Sequence, residues 1–507
     1  LKKGRANMKL NVFTESLEEL KADVVVFLVE KGRVAVRGMM AEINKAVDGQ
    51  IAAMLESGEF SAGQDQFLYF FTFGKSKVPR VALAGYDLED NKHLNPIRSS
   101  AAVVVKSLRE AGLKRVALVV PTVREWTVGD AARSMVEGAL MGLYRFDKYL
   151  ENKATKNLVE VILVGEAKDR RMLEKAVLLG EMEASGVLLA RDVANEPSNV
   201  LTPANFANIA RKVTSKAKIN CKILDEADIL REGLGLIHAV AKGSEEPPKL
   251  VLLSYNAGRK YPTIGLVGKG MTYDAGGINL KVGDAGGMWL VDMKRDMAGA
   301  AAVLGAMNII GQLQPKINVV AAMPVLENMP SGRAYKPSDI LVSYSGKTVE
   351  IFNTDAEGRL AMADAMSYLQ ENYRIDYLVD IATLTGSIVR EAGPALIGLF
   401  GNDERLLERM RQAGLIAGEE TMDWPLYPAY KKRIKSHFAD LKNISFKGPS
   451  AITSGLFLQE FIREGVKWAH LDIAAVATQF GEGTYKTRGA TGAGVRLLTH
   501  LILGMGK

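Results

Sequence analysis

Apolar runs of strand length alternate with amphipathic runs of helical period along nearly the whole chain, and this pattern limits the fold more than any other feature. In the first third the apolar runs are 24–29, 81–86, 116–120 and 158–164, with helical patterns at 96–110 and 131–144 between them. That succession predicts βαβ units and a largely parallel sheet. Strands are expected again at 249–254, 263–267, 317–323, 377–381 and 470–473, and helices at 298–310, 360–372 and 455–464. The stretch 167–194 is long, apolar-periodic and rich in Glu, Met, Leu and Ala, and it stops at Pro197 and Pro203. The expected architecture is therefore α/β with two domains. A smaller N-terminal domain spans 1–170, and a larger domain with a central mixed sheet spans 171–507, with 171–196 as the connecting helix.

Of the 507 residues, 48% are hydrophobic and 24% charged, the balance of a soluble globular protein. Lys and Arg exceed Asp and Glu by 65 − 58 = 7, a mild excess spread over the chain. The basic clusters, such as Lys431-Lys-Arg433 and Lys168-Asp-Arg-Arg171, are short and read as solvated faces, so no nucleic-acid groove is expected. The single cysteine, Cys221, lies in a strand-like setting and is expected to be a small hydrophobe; one thiol cannot form an internal disulfide. No uninterrupted apolar stretch reaches about 18 residues, so no membrane span is expected. The segment before Met8 has no apolar core of a signal peptide, and a cytoplasmic location is the default expectation.

In open α/β sheets, ligand sites form beyond the carboxyl ends of strands. After Val267 the chain reads Gly268-Lys-Gly-Met-Thr-Tyr-Asp-Ala-Gly-Gly-Ile-Asn-Leu-Lys281, expected to be a glycine-rich loop bearing Lys269, Asp274 and Lys281. It is not a phosphate loop, because Thr263 stands where the first Gly should be, and Tyr273 breaks the dinucleotide fingerprint. After Phe352 comes Asn353-Thr-Asp-Ala-Glu-Gly-Arg-Leu360. Asp355 and Glu357 would share one side of an extended backbone, with Arg359 on the same face. Paired carboxylates repel unless a cation lies between them, and hard oxygen ligands suit Mg, Mn or Zn. Alone, this Asp-x-Glu-x-Arg pattern is as compatible with a solvated, salt-bridged turn. A third acidic cluster, Asp292-Met-Lys-Arg-Asp296, precedes the helix expected from 298, where Asp296 could also be a simple cap. The five histidines (His93, His238, His437, His470 and His500) form no zinc-peptidase pair, so any metal must rest mainly on oxygen ligands.

These residues carry a resemblance. Asn353–Leu360 is similar in full to the signature octapeptide of the leucyl (cytosol) aminopeptidase family, and 267–281 resembles that family's first metal loop. Further echoes are Arg191-Asp-Val-Ala-Asn-Glu-Pro197, Ala382-Thr-Leu-Thr-Gly386, Trp468-Ala-His-Leu-Asp-Ile-Ala474 and Gly489-Ala-Thr-Gly492. The resemblance covers roughly 190–500. It implies a hydrolase releasing N-terminal Leu and other apolar residues from peptides, assembled as a homohexamer. It implies two divalent ions per chain, Zn or Mn, with Mg or Co also acceptable. Lys269, Asp274, Asp296 and Glu357 would hold the tighter ion, and Asp274, Asp355 and Glu357 the exchangeable one. Lys281 would stabilise the developing oxyanion, and Arg359 would hold a bicarbonate ion as general base. Asn353, Thr383, Leu384 and Gly386 would bind substrate together with Lys281, and Met293 and Ala490 would help line the pocket for its first side chain. One spacing departs from the resemblance: Lys281 to Asp296 is fifteen residues, whereas Asp292 stands at the expected eleven. Aligning across an insertion at 286–289 makes Asp296 the ligand and Asp292 the alternative. Two other readings stay open, a two-metal phosphoesterase and a catalytically inactive hexameric scaffold or DNA-binding relative.

Overall fold

The computed structural model describes residues 8–33, 35–88, 92–151, 157–215, 217–282 and 288–506. They form two compact units, 1–184 with 481–487, and 185–480 with 488–507.

The first unit holds a six-stranded sheet of β1 (Lys9–Phe13), β2 (Val24–Glu30), β3 (Phe67–Phe71), β4 (Arg80–Tyr86), β5 (Arg115–Val119) and β6 (Glu160–Val164). Their order is β1-β6-β5-β2-β4-β3, parallel throughout except for the antiparallel edge strand β3. The continuous apolar run in β2 has a direct cause. Val24, Val26 and Leu28 enter one buried cluster and Val25, Phe27 and Val29 another, so both faces of this strand are covered.

The second unit carries a nine-stranded mixed sheet. Its elements, in chain order, are β7 (Asn220–Leu224), β8 (Lys249–Tyr255), β9 (Thr263–Gly268), β10 (Gly270–Asp274) and β11 (Asn318–Asn328). A small three-stranded sheet of β12 (Ile340–Val342), β13 (Thr348–Glu350) and β17 (Leu441–Lys442) intervenes, and the large sheet continues with β14 (Tyr377–Ala382), β15 (Ile397–Gly401), β16 (Thr421–Asp423) and β18 (Lys467–Asp472). The order is β16-β15-β18-β14-β9-β11-β8-β7, with β10 parallel to β11. The central neighbours β18, β14, β9 and β11 are parallel, so their carboxyl ends emerge side by side.

The helix Gly358–Asn372 packs into this core so completely that every residue from Gly358 to Gln370 is buried. Its one internal carboxylate, Asp364, accepts bonds from the backbone N–H groups of Leu236 (2.8 Å), Ile237 (3.1 Å) and Tyr344 (2.8 Å). The helical stretch Leu290–Leu313 is long and apolar enough to cross a membrane, but its most apolar window is 78% buried inside the fold, as a core helix would be.

Three local expectations are corrected. The helix expected over 455–464 is Ser450–Gln459, because backbone bonds from Phe461 and Ile462 to Leu458 and Gln459 close separate turns. The segment after Gly268 is not one loop: Lys269 interrupts β9, and the chain resumes at once as β10, with a bulge between Met271 and Tyr273. The segment from Asn353 to Glu357 is a turn rather than extended backbone.

Candidate active site

Lys269 sits at the break between β9 and β10, and main-chain bonds fix it on both sides. Its N–H donates to Ile381 O (3.0 Å) at the end of β14, and its carbonyl accepts from Ala300 N (2.7 Å) in the helix Ala298–Leu313. The amine is thereby held in the interior, 2.8 Å from Asp296 Oδ2 and 2.8 Å from Glu357 Oε1, donating to Thr383 O at 3.0 Å. Asp274 ends β10; Asn328, its register partner on β11, donates from Nδ2 to Asp274 Oδ1 (2.8 Å). Asp274, Asp296 and Glu357 are all buried, and one carboxylate oxygen from each lies within 4.8 Å of the others.

Across this cluster Lys281 reaches Asp274 Oδ2 (2.7 Å) and Asp355 Oδ1. The chain returns to it through Gly276, whose φ of +90° suits glycine and where a Cβ would lie 2.9 Å from Asp355 Oδ1. Lys269, Asp274, Lys281, Asp296, Asp355 and Glu357 line one cavity of about 140 Å³, together with Met293, Arg295, Thr383, Leu384, Thr385, Gly386, Val389 and Ala474.

The charges do not balance. Four carboxylates face two ammonium groups, and the further cation on the cavity wall, Arg295, is paired with Asp292, so the buried cluster carries an excess of negative charge. Burial, with the neighbouring carboxylates, pushes Asp296 and Asp355 each up to about 7, against the pull of Lys269 and Lys281 respectively. Burial disfavours charge on Lys269 too, but Asp296, Glu357 and Asp274 outweigh it and hold its ammonium above the ordinary range. Asp296 Oδ2 is buried, and its ion pair with Lys269 at 2.8 Å is its one polar contact among the described residues. A set of hard oxygens and one amine, buried and under-compensated, fits divalent cations. The amine could act as a neutral ligand only where such ions reversed the field that now favours its proton.

Among the expected ligands, Asp296 is in the cluster, whereas Asp292 turns away to pair with Arg295 at 3.0 Å. The insertion at 286–289 lies partly outside the described residues. Of the expected substrate residues, Met293, Thr383, Leu384 and Gly386 line the cavity. Asn353 and Ala490 are not among the lining residues; the Asn353 side chain accepts from Asp355 N (2.7 Å), and Ala490 N donates to Asn195 Oδ1 (2.9 Å). Arg359, the second residue of the helix that begins at Gly358, is not among the lining residues, although the charges of Glu357 and Asp355 both act on its guanidinium. It is buried, it donates to Asn443 O (2.8 Å), and its Nε has no hydrogen-bond partner.

The pattern reading missed Asn328, which orients Asp274, and Tyr335, whose hydroxyl donates to Thr354 O (2.7 Å). They are distant from the motifs in sequence and carry no local signal. Ala474, by contrast, lay within a quoted motif. Gly358 also has a physical role: a Cβ there would fall 2.5 Å from Lys269 Cε and 2.7 Å from Nζ. Gly358→Ala is therefore expected to cost about 1–3 kcal/mol through overpacking and to lower bound metal per chain, measured by thermal melting and elemental analysis.

Comparison with known proteins agrees with this geometry along the length of the chain. The Cytosol aminopeptidase family's catalytic domain matches residues 188–499, and its N-terminal domain matches 25–153. A probable cytosol aminopeptidase of Alkaliphilus oremlandii (strain OhILAs) is 39% identical over 505 residues, covering 99% of this chain and 100% of the relative. Another, from Roseiflexus castenholzii (strain DSM 13941 / HLO8), is 40% identical over 452 residues, covering 88% and 91%. Among solved structures, the bottromycin maturation enzyme BotP in complex with Mn has a TM-score of 0.84 at 32% identity, covering 96% of this chain and 100% of that one. With both domains matched in order and the buried cluster in place, the chain belongs to the cytosol aminopeptidase family, whose members are metal-dependent aminopeptidases.

Proposed function

We propose that the chain is a two-metal leucyl aminopeptidase releasing Leu and other apolar residues from peptide N-termini. The observation that carries this reading is the convergence of Lys269, Asp274, Asp296 and Glu357 on one buried point, with Asp355 and Lys281 on the same cavity. Lys269, Asp274, Asp296 and Glu357 would hold one ion, and Asp274, Asp355 and Glu357 the other. When bound, a pair of divalent ions supplies Lewis acidity and makes an attacking water acidic at neutral pH.

The chain's own groups do the rest. Lys281 is not among the proposed ligands and stands at the edge of the cluster, where with no ion bound Asp274, Glu357 and Asp355 outweigh burial and favour its ammonium form. It can therefore donate to the oxygen that gains charge as the peptide carbonyl is attacked. Arg359 would hold a bicarbonate ion supplying general-base chemistry, and its unpartnered Nε is the group left over for an anion. Leu384, Val389 and Met293 give the cavity an apolar wall for the first side chain. The cellular location that accompanies this reading is the cytosol, after the family's name.

The deciding measurement is hydrolysis of leucine-para-nitroanilide. Dialysis against a strong chelator is expected to abolish it, and Mn, Co or Zn to restore it, while phosphomonoesters stay intact. Full activity in protein shown by elemental analysis to be metal-free would end the two-metal reading. Phosphomonoester cleavage without aminopeptidase activity would favour a phosphoesterase.

A further inference from the structure

Asp472 ends β18 and is fully buried, yet it is not among the residues lining the cavity. All three of its bonds go to residues that are. Oδ1 accepts from Leu384 N (3.1 Å) and Ala474 N (3.1 Å), and Oδ2 accepts from Thr385 Oγ1 (2.8 Å). Through them one carboxylate ties together two loops that leave neighbouring parallel strands, since Ala382 of β14 is in register with Asp472 itself.

The tie extends along one wall of the cavity. Thr385 Oγ1 also accepts from Ile388 N (3.4 Å) and caps the short helix Gly386–Glu391, which presents Gly386 and Val389 to the cavity. Two residues before Thr385, Thr383 faces the charged cluster and donates to Asp296 Oδ1 at 2.6 Å. The 383–386 turn is thus pinned at two points, by Asp296 on the charged side and by Asp472 on the apolar side. Two of the three bonds to the Asp472 carboxylate come from this turn, and a turn satisfied by a buried carboxylate is held more rigidly than one bonded only to water.

Building on the aminopeptidase reading, we infer that Asp472 is a positioning residue: it fixes the wall formed by Leu384, Thr385, Gly386, Val389 and Ala474, and thereby sets which N-terminal side chain is accepted. It touches neither substrate nor metal. Its loss should therefore appear in KM and in the preference among side chains, before it appears in metal content.

The test uses the full chain loaded with Mn and compares leucine-, methionine- and alanine-para-nitroanilide. Asp472→Ala is expected to raise KM for the leucine substrate about tenfold and to shrink the Leu-over-Ala ratio of kcat/KM about tenfold, the span that one misfitted methylene group covers. kcat should fall less, and metal per chain should be unchanged. Asp472→Asn keeps the shape and the Oδ1 acceptor, and should recover most of the selectivity. If Asp472→Ala does not fold, as judged by circular dichroism, Thr385→Val, which removes the Oδ2 bond together with the Ile388 cap, decides the matter against Thr385→Ser, which keeps the hydroxyl and should keep the selectivity. A folded Asp472→Ala enzyme with a Leu-over-Ala ratio within about twofold of wild type, or one that has lost metal at unchanged selectivity, overturns the inference. An active wild type with unmoved selectivity in the variants overturns this inference alone, whereas a wild type inert on every aminoacyl substrate overturns the aminopeptidase reading and this inference with it.

Discussion

Lys281→Ala is expected to lower kcat by about 10²–10³ while changing KM far less, the signature of a donor used only in the transition state. Metal content should stay at wild-type level. The expectation rests on where Lys281 lies and how it is held. Its Nζ is 2.7 Å from Asp274 Oδ2 and also reaches Asp355, at the mouth of a cluster in which Lys269 occupies the deeper position. Its side chain is 17% exposed, against 4% for Lys269. The backbone carries it there through a bond from Lys281 N to Ala275 O (2.9 Å), closing the loop over Gly276 and Gly277. The surrounding carboxylates raise its pKa against the pull of burial, which favours the ammonium form a donor needs. Lys269→Ala is the control, because that amine contacts Asp296 and Glu357 inside the cluster and should cost metal as well as rate. A near wild-type kcat in Lys281→Ala would remove this residue from the chemistry. Loss of a metal in the same variant would mean that the two lysines had exchanged roles.

The α/β fold was legible because its strands are covered on both faces. A parallel strand such as β2 must be apolar at every position, and that gives an unbroken run which helical patterns then separate. Short elements left no such trace. β10 is five residues long and contains a bulge, and its glycine at 270 reads as loop in any pattern. Yet Gly270 is there because β11 passes so close that a Cβ would fall 2.4 Å from Pro324 O. The charged residues of the site were legible for a different reason. Two short segments, 269–281 and 353–359, hold most of them, and carboxylates at close spacing are conspicuous in an otherwise apolar neighbourhood. What the sequence concealed was the support. Asn328, Tyr335 and Asn443 reach the site only through the packing of segments far apart in the chain, and each is an ordinary polar residue until that packing is known; Asp472 lay within the 468–474 motif, but nothing there told which backbone it would hold. The direction of Arg359 was hidden likewise. An alternating backbone was expected, whereas a turn at 354–355 and a helix from Gly358 carry it, and its guanidinium donates to Asn443 O.

Asp296→Ala should lose one metal and most of kcat, whereas Asp292→Ala should change stability by no more than about 0.5 kcal/mol and leave the rate within about twofold. These carboxylates stand four positions apart, and counting from Lys281 favours Asp292. The structure separates them by what each touches. Asp296 follows the short 3-10 turn Met293–Arg295 and is buried, with Oδ1 bonded to Thr383 Oγ1 (2.6 Å) and Oδ2 2.8 Å from Lys269 Nζ. Asp292 precedes that turn, keeps a side chain 22% exposed, and spends its charge on Arg295 at 3.0 Å. Removing Asp296 takes away both a proposed ligand and the partner of a buried amine, so the loss in rate should exceed the roughly 10–100-fold expected for an outer-shell partner. Asp296→Asn separates those effects. It preserves the shape and an oxygen for Thr383 but not the negative charge, so it should melt near the wild-type temperature and still bind one ion fewer. Elemental analysis of the three variants beside their kinetics is sufficient. Full metal occupancy in Asp296→Ala, together with loss of an ion in Asp292→Ala, would place the insertion on the other side of the ligand and make Asp292 the third carboxylate.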